Sequence, residues 1–173
     1  MPGWQALNEE IAKFGATVVT VALDIDPALA KPWNDLANPN HPSLVDTLHI
    51  TNSLFGFTNI PMAAWIDEDG NLVRPAEGAS IERSPLRDME IPEGLPEQLN
   101  KMMHAVKAIP DDGEAYREAI LDWVQKGSTS AFALTPDEVI ERSQPRSDNE
   151  ARATACFELG EYFHRTGENE TAV

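Results

Sequence analysis

The spacing of hydrophobic positions changes early in the chain. Apolar side chains first recur every three or four positions and then stop at a glycine: Trp4, Leu7, Ile11, Phe14 and Gly15. This spacing predicts an amphipathic helix ended by the glycine. The next segment, TVVTVAL at 17–23, is β-branched and almost continuously apolar. It predicts a strand covered on both faces, as in a parallel sheet.

A second helix and a hairpin are predicted downstream. Residues 28–36 favour a short helix interrupted at Pro32, followed by a proline-punctuated loop. The apolar segment 61–67 predicts a second buried strand. DEDGN then supplies hairpin-turn residues, and NLVRPA returns as an antiparallel strand. Residues 77–96 lack periodicity, which indicates a long ordered loop.

The rest of the chain has helical spacing. Helices are predicted at 96–109, at 112–127, after the capping pair Thr135 and Glu138, and at 148–165. The predicted fold class is therefore α/β, with a domain at 1–109 and a helical C-terminal extension at 110–173.

The order helix, TVVTVALDID, helix and FGFTNIPMAAWIDEDGNLVRP resembles the thioredoxin-like fold, in particular its thiol-disulfide reductase and redoxin branches. The resemblance covers about residues 3–76, with 96–109 as a closing helix. In this family a cis-proline opens the strand before the β-hairpin, and Ile60-Pro61 stands at the matching place. The resemblance therefore implies a cis peptide bond there, although most X-Pro bonds are trans.

The chain departs from this family at the motif that carries its chemistry. The family uses Cys-x-x-Cys at the start of the first helix, where the helix N-terminus favours the thiolate. Here MPGWQALNEE matches that helix past the motif, and Cys156 is the single cysteine. The sheet is thus expected to be truncated, without the family's first strand. Its neighbours would pair directly or leave edges that another chain fills, so we expect a homo-oligomer.

The resemblance also implies where a partner binds. In this fold a partner backbone docks as an added strand beside the cis-proline, which points to Asn59, Ile60 and Pro61. Trp33 and Trp4 are predicted to line the groove that the missing strand leaves.

The C-terminal segment 148–173 resembles part of a tetratricopeptide repeat. Leu159-Gly160 followed by Phe163 has the spacing of the repeat's first helix, and Gly167 matches its inter-helix turn. An ordinary amphipathic helix explains the same residues. A lone repeat does not bury its own face, so no peptide groove is predicted from it.

The net charge of the chain limits the classes of partner that are expected to bind it. The chain has 29 acidic and 13 basic residues, a net charge of −16. Such a surface repels phosphate backbones and anionic lipid, so neither nucleic acid nor a membrane is expected as a partner. There is no basic and apolar leader and no long apolar run. We expect a cytoplasmic protein by default, although the family is often extracytoplasmic.

Acidic and histidine side chains form a weaker candidate site. Asp24, Asp26, His41 and His49 could form an acid–base or metal cluster, but no HExxH or GxSxG motif supports it. A capping or turn role is the preferred interpretation of Asp24 and Asp26. DEDGN is interpreted as a hairpin turn and not a calcium loop, since the twelfth position lacks the required glutamate. Cys156, among apolar neighbours, is expected to be a buried core residue.

Three functions follow in order of preference. The first is a redox-inactive thioredoxin-like domain that associates with a protein or peptide, without cofactor or catalytic residue. The second is membership of a thiol-disulfide oxidoreductase or peroxiredoxin-like family whose cysteines lie outside this chain. The third is a cryptic hydrolase or divalent-ion-binding protein. Whether the chain is an enzyme stays open, with a preference for none.

Overall fold

The architecture is mixed α/β. The structure is a computed structural model that describes residues 2–57, 59–84, 88–109, 112–144 and 147–171. The elements follow in this order: α1 (Pro2–Ile11), β1 (Thr20–Ala22), α2 (Pro27–Ala37), β2 (Ser43–Val45), α3 (Ile50–Phe55), β3 (Met62–Ile66), β4 (Leu72–Gly78), α4 (Glu97–Ala108), α5 (Gly113–Lys126), α6 (Pro136–Arg142) and α7 (Asp148–Thr166).

The first predicted helix is confirmed. α1 continues into a 3₁₀ turn and stops at Gly15, whose φ of 80° is readily adopted only by glycine. Leu7 and Ile11 are buried with exposures of 0% and 4%. The apolar face of α1 therefore faces the core, as the spacing predicts.

β1 is shorter than predicted and pairs with a strand that the sequence did not predict. β1 runs parallel to β2, with Thr20 opposite Ser43 and Ala22 opposite Val45. The expectation of a strand covered on both faces is wrong, because Ala22 is exposed. β2 lies in the segment interpreted as a proline-rich loop. Pro42 precedes it, and the Pro42 carbonyl accepts from the Thr20 amide at 3.0 Å.

β3 and β4 form the predicted antiparallel hairpin. Asp67 accepts hydrogen bonds from the backbone amides of Asp69 and Asn71 at 3.1 and 2.7 Å, and Gly70 has a φ of 84°. DEDGN is thus a hairpin turn. The register shifts twice along the pair, each time with an extra residue in β4. Pro75, which has no N–H to give to a ladder, lies in the first of these irregular stretches.

The core joins α1, the hairpin and α5. Its buried residues are Leu7, Ile11, Trp65, Ile81, Ala119 and Ile120. Trp65 stacks on Trp123 of α5 with 5.0 Å between ring centroids. Because α5 shares this core, the first compact unit extends to Val139, beyond residue 109 where the sequence placed the domain boundary. The predicted loop at 77–96 also contributes Ile81 to the core, while its residues 85–87 lie outside the described part.

The second compact unit comprises residues 140–173. It contains α7, which ends at Gly167 with a φ of 85°. Cys156 is exposed on this helix, so the expectation of a buried cysteine is wrong. Residues 172 and 173 of the predicted repeat lie outside the described residues, and the repeat itself stays a prediction. None of the helices in the described segments is long and apolar enough to cross a membrane.

Candidate functional site

The Ile60–Pro61 peptide bond is cis, as expected from the sequence. It lies between α3 and β3, after Gly56, which closes α3 in a left-handed conformation. The Asn59 side chain accepts a hydrogen bond of 2.8 Å from the Ile60 amide. Ile60 is 79% exposed, so this step presents an apolar side chain to solvent.

A shallow cavity of about 160 Å³ lies beside this step and is lined by Leu23, Asn52, Phe57, Asn59 and Ile60. We call it the edge cavity. Leu23 directly follows β1, and Ile60 lies two residues before β3. The carboxyl end of β1 and the amino end of β3 therefore meet at one cavity whose walls are apolar and amide side chains.

Each of these two strands has one edge without a strand partner in the described part of the chain. Among the strands of the described residues, β1 pairs only with β2, and β3 only with β4. The direct pairing of the two strands that the sequence allowed is thus not found among the described residues. We call the side of β1 away from β2, and the side of β3 away from β4, the open edges.

Alternation along each strand assigns backbone groups to the open edges. The Thr20 amide and the Ala22 carbonyl both bond toward β2, to Pro42 and Asp46. Successive residues of a strand point their backbone groups to opposite sides, so those of Val21 point to the open edge.

The same reasoning applies to β3. The Pro61 carbonyl and the Asp67 amide bond to Ala79 and Asn71 on the β4 side. Ala64, an odd number of residues from both, therefore turns its backbone groups toward the open edge. Unpaired N–H and C=O groups of this kind are a template for an added strand.

Carboxylates stand at the carboxyl end of the β1–β2 sheet. Asp24 follows Leu23, and Asp26 caps α2 by accepting a hydrogen bond of 2.8 Å from the Ala28 amide. The predicted capping role of Asp26 is thus confirmed. The Asp46 amide donates to the Ala22 carbonyl at 2.8 Å, which brings Asp46 to the same end of the sheet.

Asp46 also holds the start of α3. Its carboxylate accepts from the amide and from the hydroxyl of Thr51, each at 2.7 Å. These hydrogen bonds favour the charged form and lower the pKa of Asp46 to about 2. Asp46 is therefore an anion at every physiological pH.

The two histidines of the predicted acid–base cluster have separate surroundings. His41 is buried, with Nε2 3.3 Å from the Thr20 hydroxyl and Nδ1 3.2 Å from Asn40 Oδ1. Burial lowers the pKa of His41, which favours the neutral ring. His49 precedes α3 in a left-handed conformation, with φ 53°, and its buried Nε2 has no hydrogen-bond partner within the described segments.

These residues do not assemble into a metal centre. Across the described ranges, no group of three His, Cys, Asp or Glu side chains is placed to hold an ion. The contacts above show His41 engaged with Thr20 and Asn40, and Asp26 with the α2 amide. The hydrolase and divalent-ion hypothesis stays a sequence prediction that these contacts do not strengthen.

The predicted groove tryptophans differ in exposure. Trp33 is 73% exposed and shares the outer surface of α2 with Leu29 and Leu36, at helical spacing. Trp4 instead packs against the buried core cluster. Trp33 is accessible to a partner, whereas Trp4 mainly covers the core.

Sequence reasoning missed three of the residues that line the edge cavity: Leu23, Asn52 and Phe57. The sequence pattern favours a loop where β2 lies and predicts no element where α3, which carries Asn52, lies. One available signal was the parallel between VALD at 21–24 and SLVD at 43–46, since both place apolar residues before an aspartate. Two short parallel strands ending at one edge would have brought α3 to Leu23.

Comparison of the chain with protein-family models, with curated proteins and with solved structures found no match.

Proposed function

We propose that this chain is a redox-inactive, thioredoxin-like association domain that binds an extended segment of a protein or peptide at the edge cavity. One observation carries the proposal: the carboxyl end of β1 and the amino end of β3, two strands that each have an open edge, meet at the edge cavity. An added strand gains affinity from main-chain hydrogen bonds and selectivity from pockets for alternate side chains. The open edges offer backbone groups for main-chain hydrogen bonds, and the edge cavity offers a pocket for a side chain.

The thioredoxin-like assignment rests on element order. A helix, a parallel strand, a helix and a hairpin opened by Ile60-Pro61 occur in the order that the resemblance implies. The sheet would be truncated between β1 and β3, where the family has a further strand. A ligand strand at this position would complete one continuous sheet from β2 to β4.

A neutral strand-forming peptide tests the proposal. An end-blocked peptide of alternating Thr and Val is titrated against the protein, and amide hydrogen exchange is measured with and without it. We expect slower exchange of the Val21 and Ala64 amides, because these face the open edges. Binding without protection of either amide would place the peptide elsewhere and contradict the proposal.

A substitution at Ile60 tests whether the peptide binds at the edge cavity. Ile60→Asp removes an exposed apolar wall of the cavity, and burial of such a side chain is worth about 1.5–3 kcal/mol. We expect about tenfold weaker binding of the Thr/Val peptide or more. Ile140→Asp is the control, since Ile140 is 61% exposed on α6 and far along the chain from the cavity residues. Equal effects of the two substitutions would argue against the site.

Self-association through the open edges stays a prediction. A second copy that donated a strand would form a species of twice the 19.0 kDa chain mass. Sedimentation velocity over a range of protein concentrations measures this directly. A single species of the chain mass at every concentration would rule out the homo-oligomer and leave peptide binding to be judged by the titration.

A further inference from the structure

The charged side chains in the segments that build the edge cavity are all carboxylates. Residues 14–30 and 46–73 contain β1, α3, β3, the hairpin turn and all five cavity residues. They carry six carboxylates and no Lys or Arg: Asp24, Asp26, Asp46, Asp67, Glu68 and Asp69. A ligand strand along the open edges therefore meets a field of one sign.

Three of these carboxylates lie at the cavity end of the sheet. Asp24 is adjacent to the cavity residue Leu23. Asp46 is hydrogen-bonded to Ala22 and accepts from the Thr51 amide near the start of α3, the helix that carries Asn52. Asp26 caps α2 two residues after Asp24. The open mouth of the cavity is thus next to fixed negative charge.

Nearby basic side chains are engaged elsewhere. Lys31 pairs with Asp35 at 2.7 Å on α2, and Arg74 pairs with Glu77 at 2.6 Å while its guanidinium carbon lies 4.9 Å from the Trp65 ring centroid. Among the described residues, no ion pair joins a basic side chain to Asp24, Asp26 or Asp46, so these carboxylates are left for a ligand to neutralise.

We propose that the occupant of the edge cavity is a basic, extended segment of another protein. This deepens the proposed function and rests on it. The backbone of the segment pairs with the open edges of β1 and β3, and one apolar side chain enters between Leu23, Phe57 and Ile60. Lys or Arg residues of the segment lie against Asp24, and Asp46 adds negative charge at the same end of the sheet.

Charge also argues against a second copy as the occupant. Each copy carries a net charge of −16, and any strand donated from β1 or β3 would bring the same aspartates with it. Like charges across an interface oppose association and select against the wrong partner. A basic segment has the opposite sign and gains from the same field.

Three end-blocked peptides of equal length test the occupant: alternating Lys and Val, alternating Thr and Val, and alternating Glu and Val. Affinities are measured by fluorescence anisotropy at low and at high salt. At low salt we expect the Lys/Val peptide to bind at least about tenfold tighter than the Thr/Val peptide, and the Glu/Val peptide to bind more weakly than both. The Lys/Val advantage should shrink in high salt, because screening weakens interactions between exposed charges.

Asp24→Asn is the matched variant. It keeps an oxygen that can accept from the Asp26 amide, as Asp24 does at 3.3 Å, while removing the charge. We expect about threefold weaker binding of the Lys/Val peptide and no change for the Thr/Val peptide. Asp137→Asn in α6 is the control and should change neither affinity.

The outcomes separate the two proposals. Equal affinity of all three peptides, with protection at Val21 and Ala64, overturns the basic occupant and keeps the proposed function. Binding of none of them overturns both. A charge preference without protection at these amides shows nonspecific attraction and overturns this inference. A dimer that excludes the Lys/Val peptide identifies the second copy as occupant and overturns it as well.

Discussion

The indole N–H of Trp65 donates a hydrogen bond of 2.8 Å to the phenolic oxygen of Tyr116. This bond joins β3 to α5, two elements that are 51 positions apart at these residues. Trp65 is 4% exposed, and burial raises the pKa of Tyr116 to about 12. The phenol of Tyr116 is therefore neutral and lies on the side of the hairpin that faces the core.

Tyr116→Phe should destabilise the first compact unit. The substitution keeps the ring but leaves the buried Trp65 N–H without its acceptor, which typically costs about 1–3 kcal/mol. Urea unfolding followed by tryptophan fluorescence measures the loss. Tyr162→Phe is the matched control, because Tyr162 is 55% exposed on α7. A variant at 116 as stable as the wild type would show that the hydrogen bond adds nothing to folding.

Gly113 marks a close approach between the start of α5 and the segment after β4. A Cβ placed at Gly113 would lie within 3.0 Å of the Glu82 backbone N, C and O atoms. Backbone cannot yield as a flexible side chain does, so we expect Gly113→Ala to lower the free energy of unfolding by about 1–3 kcal/mol. Gly78→Ala is the control, since a Cβ there meets no heavy atom within 4 Å. Equal stability of the two variants would contradict this close packing.

Long periodic elements could be predicted from the sequence, and short paired ones could not. α1, α5 and the hairpin follow from spacing and turn residues that act locally. β2 spans only Ser43–Val45, too few residues to show a period. Its strand conformation depends on pairing with β1, which is a nonlocal interaction.

The candidate site likewise combines residues that local sequence identifies with residues that only nonlocal pairing brings together. Ile60 and Pro61 could be identified because a proline before an apolar strand is visible in sequence and matches the cis-proline of the family that the segment resembles. Leu23 and Asn52 reach the same cavity only because β1 and β2 end at one edge and α3 follows β2. That α5 belongs to the same compact unit as the hairpin depends on contacts such as the hydrogen bond between Trp65 and Tyr116, which leave no local trace in the sequence.

Asp46 should make the free energy of unfolding depend on pH in the acidic range. Its pKa falls from 3.8 to about 2 in the folded chain, chiefly through the hydrogen bonds from Thr51. A folded-state pKa below the unfolded value adds stability that is present above the unfolded pKa and is lost as pH falls through the folded pKa. The contribution should therefore be full above about pH 5 and should disappear between about pH 4 and pH 2.

Asp46→Asn tests this directly. The variant should be less stable than the wild type at pH 7, and the difference should shrink as the pH falls toward 2. Urea unfolding at a series of pH values measures the difference, and carboxyl NMR titration of the wild type reads the pKa of Asp46. Asp35→Asn is the control, because that carboxylate forms an exposed pair with Lys31, and such pairs contribute little. A stability difference that does not vary with pH would contradict the assigned hydrogen bonds.

Cys156 should not support disulfide reduction. A thiol that attacks a disulfide forms a mixed disulfide, which a Cys-x-x-Cys motif resolves with its own second cysteine, whereas this chain has one cysteine and leaves that step to dithiothreitol. Turbidity of insulin in dithiothreitol should therefore develop at the same rate with the protein, with Cys156→Ser, and with buffer alone. Acceleration by the wild type that Cys156→Ser abolishes would make the exposed cysteine of α7 a catalytic thiol. That result would contradict the redox-inactive assignment, while peptide binding at the edge cavity would be tested separately.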